Sequence, residues 1–234
     1  MVTKAQHYIE MHHDFEQLAV VDSSKANFEA SPMIGVTRML FERVGAESTR
    51  RATSVVRYQA DSYFDWHSHP GGEEILVLAG TFSDQNGDYP AGYYVRNPVG
   101  SRHKPFSVEG CEILVKLSQM PENETEQFVL NTATASSDNI WQQLGHQESI
   151  LSLWHSTHEH TSLHHLTAGY QSPDTPLCYA EVCEIFVVSG SLTVNTQYLP
   201  CRSWIRLPAK TAIQLTTQED TLIYRKIGKG AVRI

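Results

Sequence analysis

The sequence predicts an all-β protein built from two tandem copies of one β-barrel or β-sandwich domain. Two observations lead to this prediction. Shifting the chain by 110 residues aligns residues 73–117 with residues 183–227 without a gap. In addition, short runs rich in Val, Ile, Tyr, Thr and Leu alternate with Gly, Pro, Asn and Asp, which is typical of strands separated by turns. A repeat of this length is a whole domain rather than a solenoid unit of about 20–50 residues.

The two aligned segments share ten identical positions, three of which are a turn-forming glycine and two prolines that fix the local backbone geometry. The identical pairs are Glu74/Glu184, Ile75/Ile185, Val77/Val187, Gly80/Gly190, Pro90/Pro200, Arg96/Arg206, Pro98/Pro208, Glu109/Glu219, Ile113/Ile223 and Lys116/Lys226. Further upstream, Thr53-Ser54 matches Thr161-Ser162 at a shift of 108, so a two-residue insertion separates the aligned blocks.

The strands of the first copy are predicted from its apolar runs, which are Thr53–Tyr58, Glu74–Leu78, Tyr93–Arg96 and Glu112–Leu117. The Asn86-Gly87 pair is a strong signal for a hairpin turn. The runs 75–78 and 185–188 are apolar at successive positions, so both faces of these strands should be buried. One face would fill the barrel, and the other would pack against the sister copy or a second chain, which makes a homodimer an expectation.

The repeat divides the chain into an amino-terminal arm (residues 1–26), a first domain (27–122) and a second domain (132–234). The arm either covers a sheet edge or is mobile. A polar, acidic linker spans roughly residues 118–139, and Phe128–Leu130 is a candidate strand within it.

The composition excludes several functional classes. The chain has 18 Lys and Arg against 26 Asp and Glu, a net charge of −8, and no basic cluster with which to grip nucleic acid. Its longest apolar runs are far shorter than the ~20 residues of a membrane helix, and its first residues are too polar for a signal peptide. The expectation is a cytoplasmic protein with no nucleic-acid or membrane partner.

Within the first copy, His67 and His69 stand two residues apart and therefore project from the same face of an extended strand. The turn at 70–72 (Pro-Gly-Gly) can return Glu73 to that face. A second turn, formed by residues 98–100, could place His103 opposite them.

Three imidazoles and one carboxylate around one point suit a divalent first-row metal and leave coordination positions open for water or substrate. The candidate ligands are His67, His69, Glu73 and His103. The expected cofactor is one divalent ion, with zinc first and iron, manganese or nickel as alternatives.

These two stretches resemble the two motifs of the cupins, G-x5-H-x-H-x3,4-E-x6-G and G-x5-P-x-G-x2-H-x3-N. The resemblance implies a double-stranded β-helix, or jelly-roll, barrel in each copy and identifies the four candidate ligands with the family's metal ligands. The family's glycines correspond to Gly80, Gly92 and Gly100. The chain departs from the motifs at Asp61, where glycine is expected, and at Ser107, where asparagine is expected.

A narrower resemblance covers roughly residues 28–120. The stretches 53–58 (TSVVRY), 71–74 (GGEE), 82–84 (FSD) and 87–90 (GDYP) look like the ChrR-like cupins. That group includes the cupin domain of the anti-sigma factor ChrR and is similar to small dioxygenases that act on diketones.

The second copy lacks the four ligands. Their counterparts are Leu177, Tyr179, Cys183 and Ile213, whereas the outward-facing Glu74 is kept as Glu184. The second cupin is therefore expected to be degenerate and metal-free, with an apolar interior. That interior is either a small-ligand pocket or, as we favour, a filled core.

A group of histidines in the second copy is a further candidate site. His158, His160 and His164 share one strand face, with His155 and His165 nearby. They could form a second metal site or a pH-sensitive patch, but exposed strand histidines are the favoured interpretation.

Arg96 and Cys183 are expected to be structural, the first because it recurs as Arg206 where no ligands remain, and the second as an inert buried thiol. Four aromatic residues beside the ligand strands are expected in the β core, although some could line the mouth of the site. They are Phe64, Trp66, Tyr93 and Tyr94.

Three functions are compatible with the sequence. The favoured hypothesis is a regulatory or stress-sensing module like the ChrR cupin. Residues 1–110 contain no cysteine. The Cys-containing anti-sigma zinc segment of that family is therefore expected to be missing, and contact with a sigma factor is not expected. The alternative is an Fe(II)-dependent dioxygenase acting on a diketone or hydroxyketone, with catalytic residues unassigned. The third is a bicupin that simply binds a small molecule.

Overall fold

The computed structural model describes residues 8–46, 49–135 and 141–229. Residues 1–7 of the predicted arm, 47–48 of the predicted first domain, 136–140 of the linker and second domain, and 230–234 of the predicted second domain lie outside the described residues. The chain divides into two compact units. The first contains Phe28–Leu130 with the described part of Met1–His13, and the second contains Asp14–Asn27 with the described part of Asn131–Ala231.

The amino-terminal half of the chain forms fourteen strands among the described residues. They are β1 (Ile9–Met11), β2 (Ala19–Val21), β3 (Glu29–Ala30), β4 (Val36–Gly45), β5 (Thr49–Tyr58), β6 (Ser62–Tyr63), β7 (His67–Ser68), β8 (Glu73–Asp84), β9 (Gly87–Pro90), β10 (Tyr93–Asn97), β11 (Arg102–His103), β12 (Phe106–Ser107), β13 (Cys111–Leu117) and β14 (Phe128–Asn131).

The rest of the chain continues with one short helix and eleven strands. They are α1 (Thr132–Ala135), β15 (Gln142–Gln143), β16 (Glu148–His155), β17 (Glu159–Leu166), β18 (Leu177–Cys178), β19 (Val182–Ser189), β20 (Leu192–Val194), β21 (Gln197–Leu199), β22 (Trp204–Leu207), β23 (Ala212–Ile213), β24 (Leu215–Thr216) and β25 (Thr221–Gly228). Within the described ranges, no helix is long and apolar enough to cross a membrane.

The two units share one strand order. The main path of the first unit's large sheet is β1-β4-β5-β13-β8-β10-β14, and that of the second is β15-β16-β17-β25-β19-β22-β2. In both, the strands from the aligned repeat occupy the same places and pair antiparallel. The prediction of an all-β protein with a duplicated fold is confirmed.

Short strands that lie outside the aligned repeat pair at the edges of the large sheets. β2 precedes the first barrel yet pairs with β22 of the second, whereas β14 follows the first barrel and pairs with β10. β1 pairs with β4 at the opposite edge of the first unit's sheet. The described part of the predicted arm therefore covers sheet edges, and the candidate strand at 128–130 is confirmed.

Each unit has its own apolar core. The cores include Ile75 and Val77 in the first unit and Ile185 and Val187 in the second, all at most 2% exposed. Leu76 and Phe186, which point to the opposite face, are buried as well. The prediction that both faces of these strands are buried is confirmed.

The local turn signals also correspond to the structure. β8 and β9 form a hairpin closed by Gln85 and Asn86, with Asp84 opposite Gly87. Asp61, which replaces a motif glycine, adopts the left-handed conformation that glycine favours, with φ of 58°. Aspartate tolerates this conformation better than most residues, so the departure preserves the turn.

Candidate metal centre

Three short segments bring the four predicted ligands together. β7 and β11 pair antiparallel, which places His67 directly opposite His103. After the 70–72 turn, where Gly72 N donates to His69 O over 3.1 Å, the chain enters β8 at Glu73. The backbone amide of His69 donates to the carbonyl of Ser101, which ties the two motif loops to each other.

The side chains of these four residues form one compact cluster. Each residue offers one donor atom such that all four atoms lie within 4.8 Å of one another. Glu73 Oε2 lies 3.6 Å from His69 Nε2 and 3.4 Å from His103 Nε2. His69, Glu73 and His103 are at most 5% exposed, and His67 is half-buried.

Each imidazole is held through its Nδ1 atom, which turns its Nε2 atom toward the centre of the cluster. His67 Nδ1 donates to the carbonyl of Asp65 over 2.8 Å. His69 Nδ1 is hydrogen-bonded with Ser101 Oγ at 3.1 Å. The Nε2 atoms of His69 and His103 are buried and have no hydrogen-bond partner.

Buried polar atoms in proteins are almost always hydrogen-bonded or metal-bound. Two unpartnered imidazole nitrogens that face a carboxylate therefore fit a bound cation. The four residues could hold one divalent metal, and their mixed nitrogen and oxygen donors leave its identity undetermined.

The electrostatics of the cluster also favour a cation. Burial raises the pKa of Glu73, but His69, His103 and the hydrogen bond from Asn97 outweigh it and keep the pKa below its usual value. Burial lowers the pKa of His69, so its imidazole tends to stay neutral and available as a ligand. Burial acts the same way on His103, but Glu73 and Asp84 outweigh it and raise that pKa.

A cavity of about 600 Å³ lies beside the cluster and is lined by His67, His69 and Glu73. The rest of its wall is largely apolar and comes from the inward faces of β4, β5, β8 and β13 and from the loops beside them. The apolar and aromatic wall residues are Pro32, Val36, Val56, Tyr58, Phe64, Pro70, Phe82, Pro105, Ile113, Val115 and Leu117. The cavity is large enough for a small organic molecule in contact with the cluster.

Asp84 supports one of the candidate ligands, and in the sequence it stands out only as part of the family-like stretch 82–84. Its Oδ2 accepts a hydrogen bond from His103 Nδ1 over 3.1 Å, and its carboxylate is nearly buried. A carboxylate behind a ligating histidine fixes the tautomer and raises the basicity of the other nitrogen. No spacing rule predicts this pair, because Asp84 and His103 lie nineteen residues apart.

We expect Asp84→Asn to lower the affinity for nickel(II) or zinc(II) by about 10- to 100-fold, the usual effect of removing such a partner. Isothermal titration or competition with a chelator measures the change. Asp88→Asn is the matched control, because Asp88 accepts from Ser83 and does not contact a ligand. Equal affinities for the wild type and Asp84→Asn would contradict this role.

Most of the other candidates lie where they were predicted. Arg96 is buried and bonds to Glu74, Tyr94 and Glu124, so its structural role is confirmed. The thiol of Cys183 is buried, and burial raises its pKa to about 12, as expected of an inert cysteine.

Of the four aromatic residues, Tyr94 is buried in the sheet, Tyr93 is half-buried and Phe64 lines the cavity. The prediction of a core position is wrong for Trp66, which is 57% exposed and lies beneath the guanidinium of Arg102.

The prediction of exposed strand histidines is wrong for His164, which is fully buried. Its Nδ1 donates to Glu148 Oε1 over 2.7 Å, and its Nε2 accepts from Ser162 Oγ over 3.0 Å. His155 and His158 are exposed, and His160 is half-buried. Among the described residues these histidines form no group that could hold a metal.

The prediction of an apolar interior for the second barrel is also wrong in part. An apolar core surrounds Cys183, Ile185 and Ile213. Beside it lies a polar chain in which Tyr170 donates to Glu148 Oε2 over 2.9 Å and Glu148 accepts from His164. A signal for this was present: the 108-residue shift aligns His164 with Val56, which lines the interior of the first barrel.

Acidification is expected to destabilise the second unit through His164. Burial lowers its pKa to about 4 from an ordinary 6.5, with Arg225 and His160 adding to the effect and Glu148 opposing it. Between these values the unfolded chain binds a proton that the folded chain does not, so stability falls as pH decreases from about 6.5 to about 4. The loss is on the order of 3 kcal/mol.

Urea unfolding at several pH values measures this loss. His164→Gln should flatten the dependence in that window, and the exposed His158→Gln should leave it unchanged. The lowered pKa of Glu148 adds a loss in the same direction, but only at lower pH. The same slope in the wild type and His164→Gln would contradict the assignment.

Comparison with known proteins supports the resemblance seen in the sequence. The ChrR cupin-like domain family matches residues 16–121. The match begins twelve residues earlier than the resemblance at 28 and so includes β2. A search of curated proteins with the whole sequence finds no match.

Solved structures with a similar fold cover most of the chain. A candidate dioxygenase from Nostoc punctiforme PCC 73102 has a TM-score of 0.71 at 13% identity, covering 94% of this chain and 85% of its own. The pirin YhhW from Escherichia coli, in complex with nickel(II), has a TM-score of 0.65 at 15% identity, with coverage of 90% and 98%. Salicylate 1,2-dioxygenase from Pseudoaminobacter salicylatoxidans has a TM-score of 0.58 at 8% identity, with coverage of 77% and 69%. At these identities the likeness establishes the fold, and the predicted cupin fold is confirmed.

Proposed function

We propose that this chain, which carries a ChrR cupin-like domain over residues 16–121, is a metal-dependent dioxygenase acting on a small diketone or hydroxyketone. The observation that supports it is the cavity of about 600 Å³ that opens directly onto the His–Glu cluster. A purely structural metal site needs no such space, because its coordination is closed by the protein.

The residues that would hold the metal are His67, His69, Glu73 and His103. Iron bound there would supply the redox chemistry and the Lewis acidity for a reaction of the ketone with dioxygen. The chain's own contribution is to fix the orientation of the donors through hydrogen bonds with Asp65, Ser101, Asn97 and Asp84.

Polar groups in the cavity wall would orient the substrate. Burial raises the pKa of Tyr58 well above its usual range, so its hydroxyl remains protonated and can donate to a substrate oxygen. Arg38 and Arg43 also line the cavity, and Arg43 donates to the carbonyl of Ala46. Their positive charge would favour the enolate form of a diketone over the neutral form.

The test is oxygen consumption by protein stripped of metal and reloaded anaerobically with either iron(II) or zinc(II). With acetylacetone or a hydroxyketone, we expect the iron-loaded wild type to consume oxygen, and the zinc-loaded protein and iron-treated His69→Ala to consume none. Iron-loaded wild type that consumes no more oxygen than His69→Ala would overturn the proposal.

A regulatory, metal-sensing module is the second candidate, and the match to the ChrR cupin-like domain favours it. Elemental analysis of protein grown without added metal separates the two candidates. A zinc-filled site with no oxygen consumption after iron loading supports sensing, because zinc does not change its oxidation state. Bound iron together with oxygen consumption supports the enzyme.

A further inference from the structure

The second barrel retains the framework of the first barrel's metal site. Leu177 pairs with Ile213 across β18 and β23, just as His67 pairs with His103 across β7 and β11. Tyr179 and Cys183 follow at the positions of His69 and Glu73. The backbone that presents the ligands in the first unit is therefore kept in the second, with other side chains on it.

A positive charge lies within this framework. Arg225 on β25 takes the place that Val115 has in the first copy: Arg225 lies opposite Ser162, as Val115 lies opposite Ser54. The side chain of Val115 lines the cavity of the first barrel. Arg225 therefore points into the interior of the second barrel.

The guanidinium of Arg225 extends to the site framework itself. Its Nη1 donates to the Tyr179 hydroxyl over 2.8 Å, and its central carbon lies 5.3 Å from the centre of the Tyr179 ring. Its charge also acts on the thiol of Cys183. Tyr179 and Cys183 stand where the first unit has two of its candidate ligands. The guanidinium of Arg225 therefore lies beside the position in the second unit that corresponds to the metal position of the first.

The guanidinium of Arg225 is buried, and its hydrogen-bonding capacity is only partly used. Arg225 is only 9% exposed, and its Nε has no hydrogen-bond partner. The nearby carboxylate of Glu148 is engaged through one oxygen by His164 and through the other by Tyr170. A buried guanidinium is costly unless a carboxylate or another acceptor meets it, so the arrangement calls for an anion.

We propose that the second barrel binds a small carboxylate, whose oxygens accept hydrogen bonds from Arg225 Nε and the Tyr179 hydroxyl. One guanidinium matches a single negative charge, and the nearby Glu148 disfavours a dianion such as phosphate. The half-buried Leu177 and Ile227 pack beside the site and suit an apolar body behind the carboxylate. This site is independent of the metal and of the function proposed for the first unit.

The test follows the arginine side-chain Nε–H signals by ¹⁵N–¹H NMR in metal-stripped protein, with the signal of Arg225 identified from its loss in Arg225→Lys. The probes are acetate and benzoate, with acetamide and benzamide as uncharged controls. We expect the Arg225 signal to move saturably with a carboxylate and to stay in place with the amides. Tyr179→Phe should weaken the binding about tenfold or more, as expected for one hydrogen bond to a charged group.

Arg57→Gln serves as the control variant, because Arg57 lies in the first unit and pairs with Glu112 at the surface. It should bind the carboxylates as the wild type does. If Arg225→Lys fails to fold, the Arg225 signal is assigned in the wild type through its proximity to the Tyr179 ring, and Tyr179→Phe still tests the site. An Arg225 signal that ignores both carboxylates, moves equally with the amides, or responds only to inorganic phosphate would overturn the proposal.

Discussion

Replacing His69 by alanine is expected to abolish metal binding by the first unit. The substitution removes one of four donors, and the loss of affinity should exceed the roughly hundredfold effect of losing a residue that only supports a ligand. In the wild type, metal at about 100 times its dissociation constant should stabilise the first unit by about 2.7 kcal/mol. In His69→Ala, added metal should give no stabilisation, and the second unit should unfold as before.

Elemental analysis and thermal unfolding with and without metal measure these two effects. His158→Ala is the matched control, because it removes an exposed histidine that lies outside the cluster. It should retain the wild-type metal content and stabilisation. Equal metal in the wild type and His69→Ala would show that the cluster is not the metal site.

Gly80→Ala is expected to produce the largest loss of stability in the first unit. Gly80 has φ of 67°, and a Cβ placed on it would lie 2.1 Å from the carbonyl oxygen of Gly110. Neither backbone can move easily, because β8 is paired to β13 at this point. The strain of a left-handed alanine and the overlap of its Cβ with the Gly110 carbonyl should together lower the free energy of unfolding by roughly 2 to 5 kcal/mol. This is a large part of the ~5–15 kcal/mol that stabilises a typical domain.

Two control glycines separate these two causes. Gly100 has φ of 80° with open space around its Cβ position, so Gly100→Ala should cost only the strain, about 1–2 kcal/mol. Gly145 has neither a left-handed φ nor a near neighbour, and Gly145→Ala should change stability by less than about 0.5 kcal/mol. Denaturant unfolding compares the three, and a Gly80→Ala effect no larger than that of Gly100→Ala would remove the steric explanation.

The sequence was sufficient to predict that His67, His69, Glu73 and His103 cluster, because they lie on short, regular pieces of chain. Alternation along a strand puts His67 and His69 on one face, and the turns at 70–72 and 98–100 are set by glycine and proline. These constraints act over a few residues, so the directions of these side chains can be predicted without knowing how the strands pack. Alignment of the two copies then identified the positions at which the second copy has no metal-ligating side chain.

The positions of Asp84 and His164 could not be predicted from such local constraints. Asp84 meets His103 only because the β8–β9 hairpin brings the end of β8 to β11, and nothing in the spacing of the two residues indicates that contact. His164 shares a face of β17 with His160, whereas His158 lies just before the strand. The alternation of side chains along a strand does not say which of its faces is inside. Its burial depends on Glu148 and Ser162, which supply the partners that a buried imidazole needs.

The amino-acid order alone thus determined the fold class, the duplication and which four residues cluster in the first unit, because periodicity and turn chemistry act over a few residues. Only the folded chain decided which polar side chains stand behind those donors, and it alone placed the Arg225 guanidinium beside Tyr179 in the second barrel. Contacts of this kind join strands far apart in the chain, and their energies depend on burial, which exists only after the strands have packed.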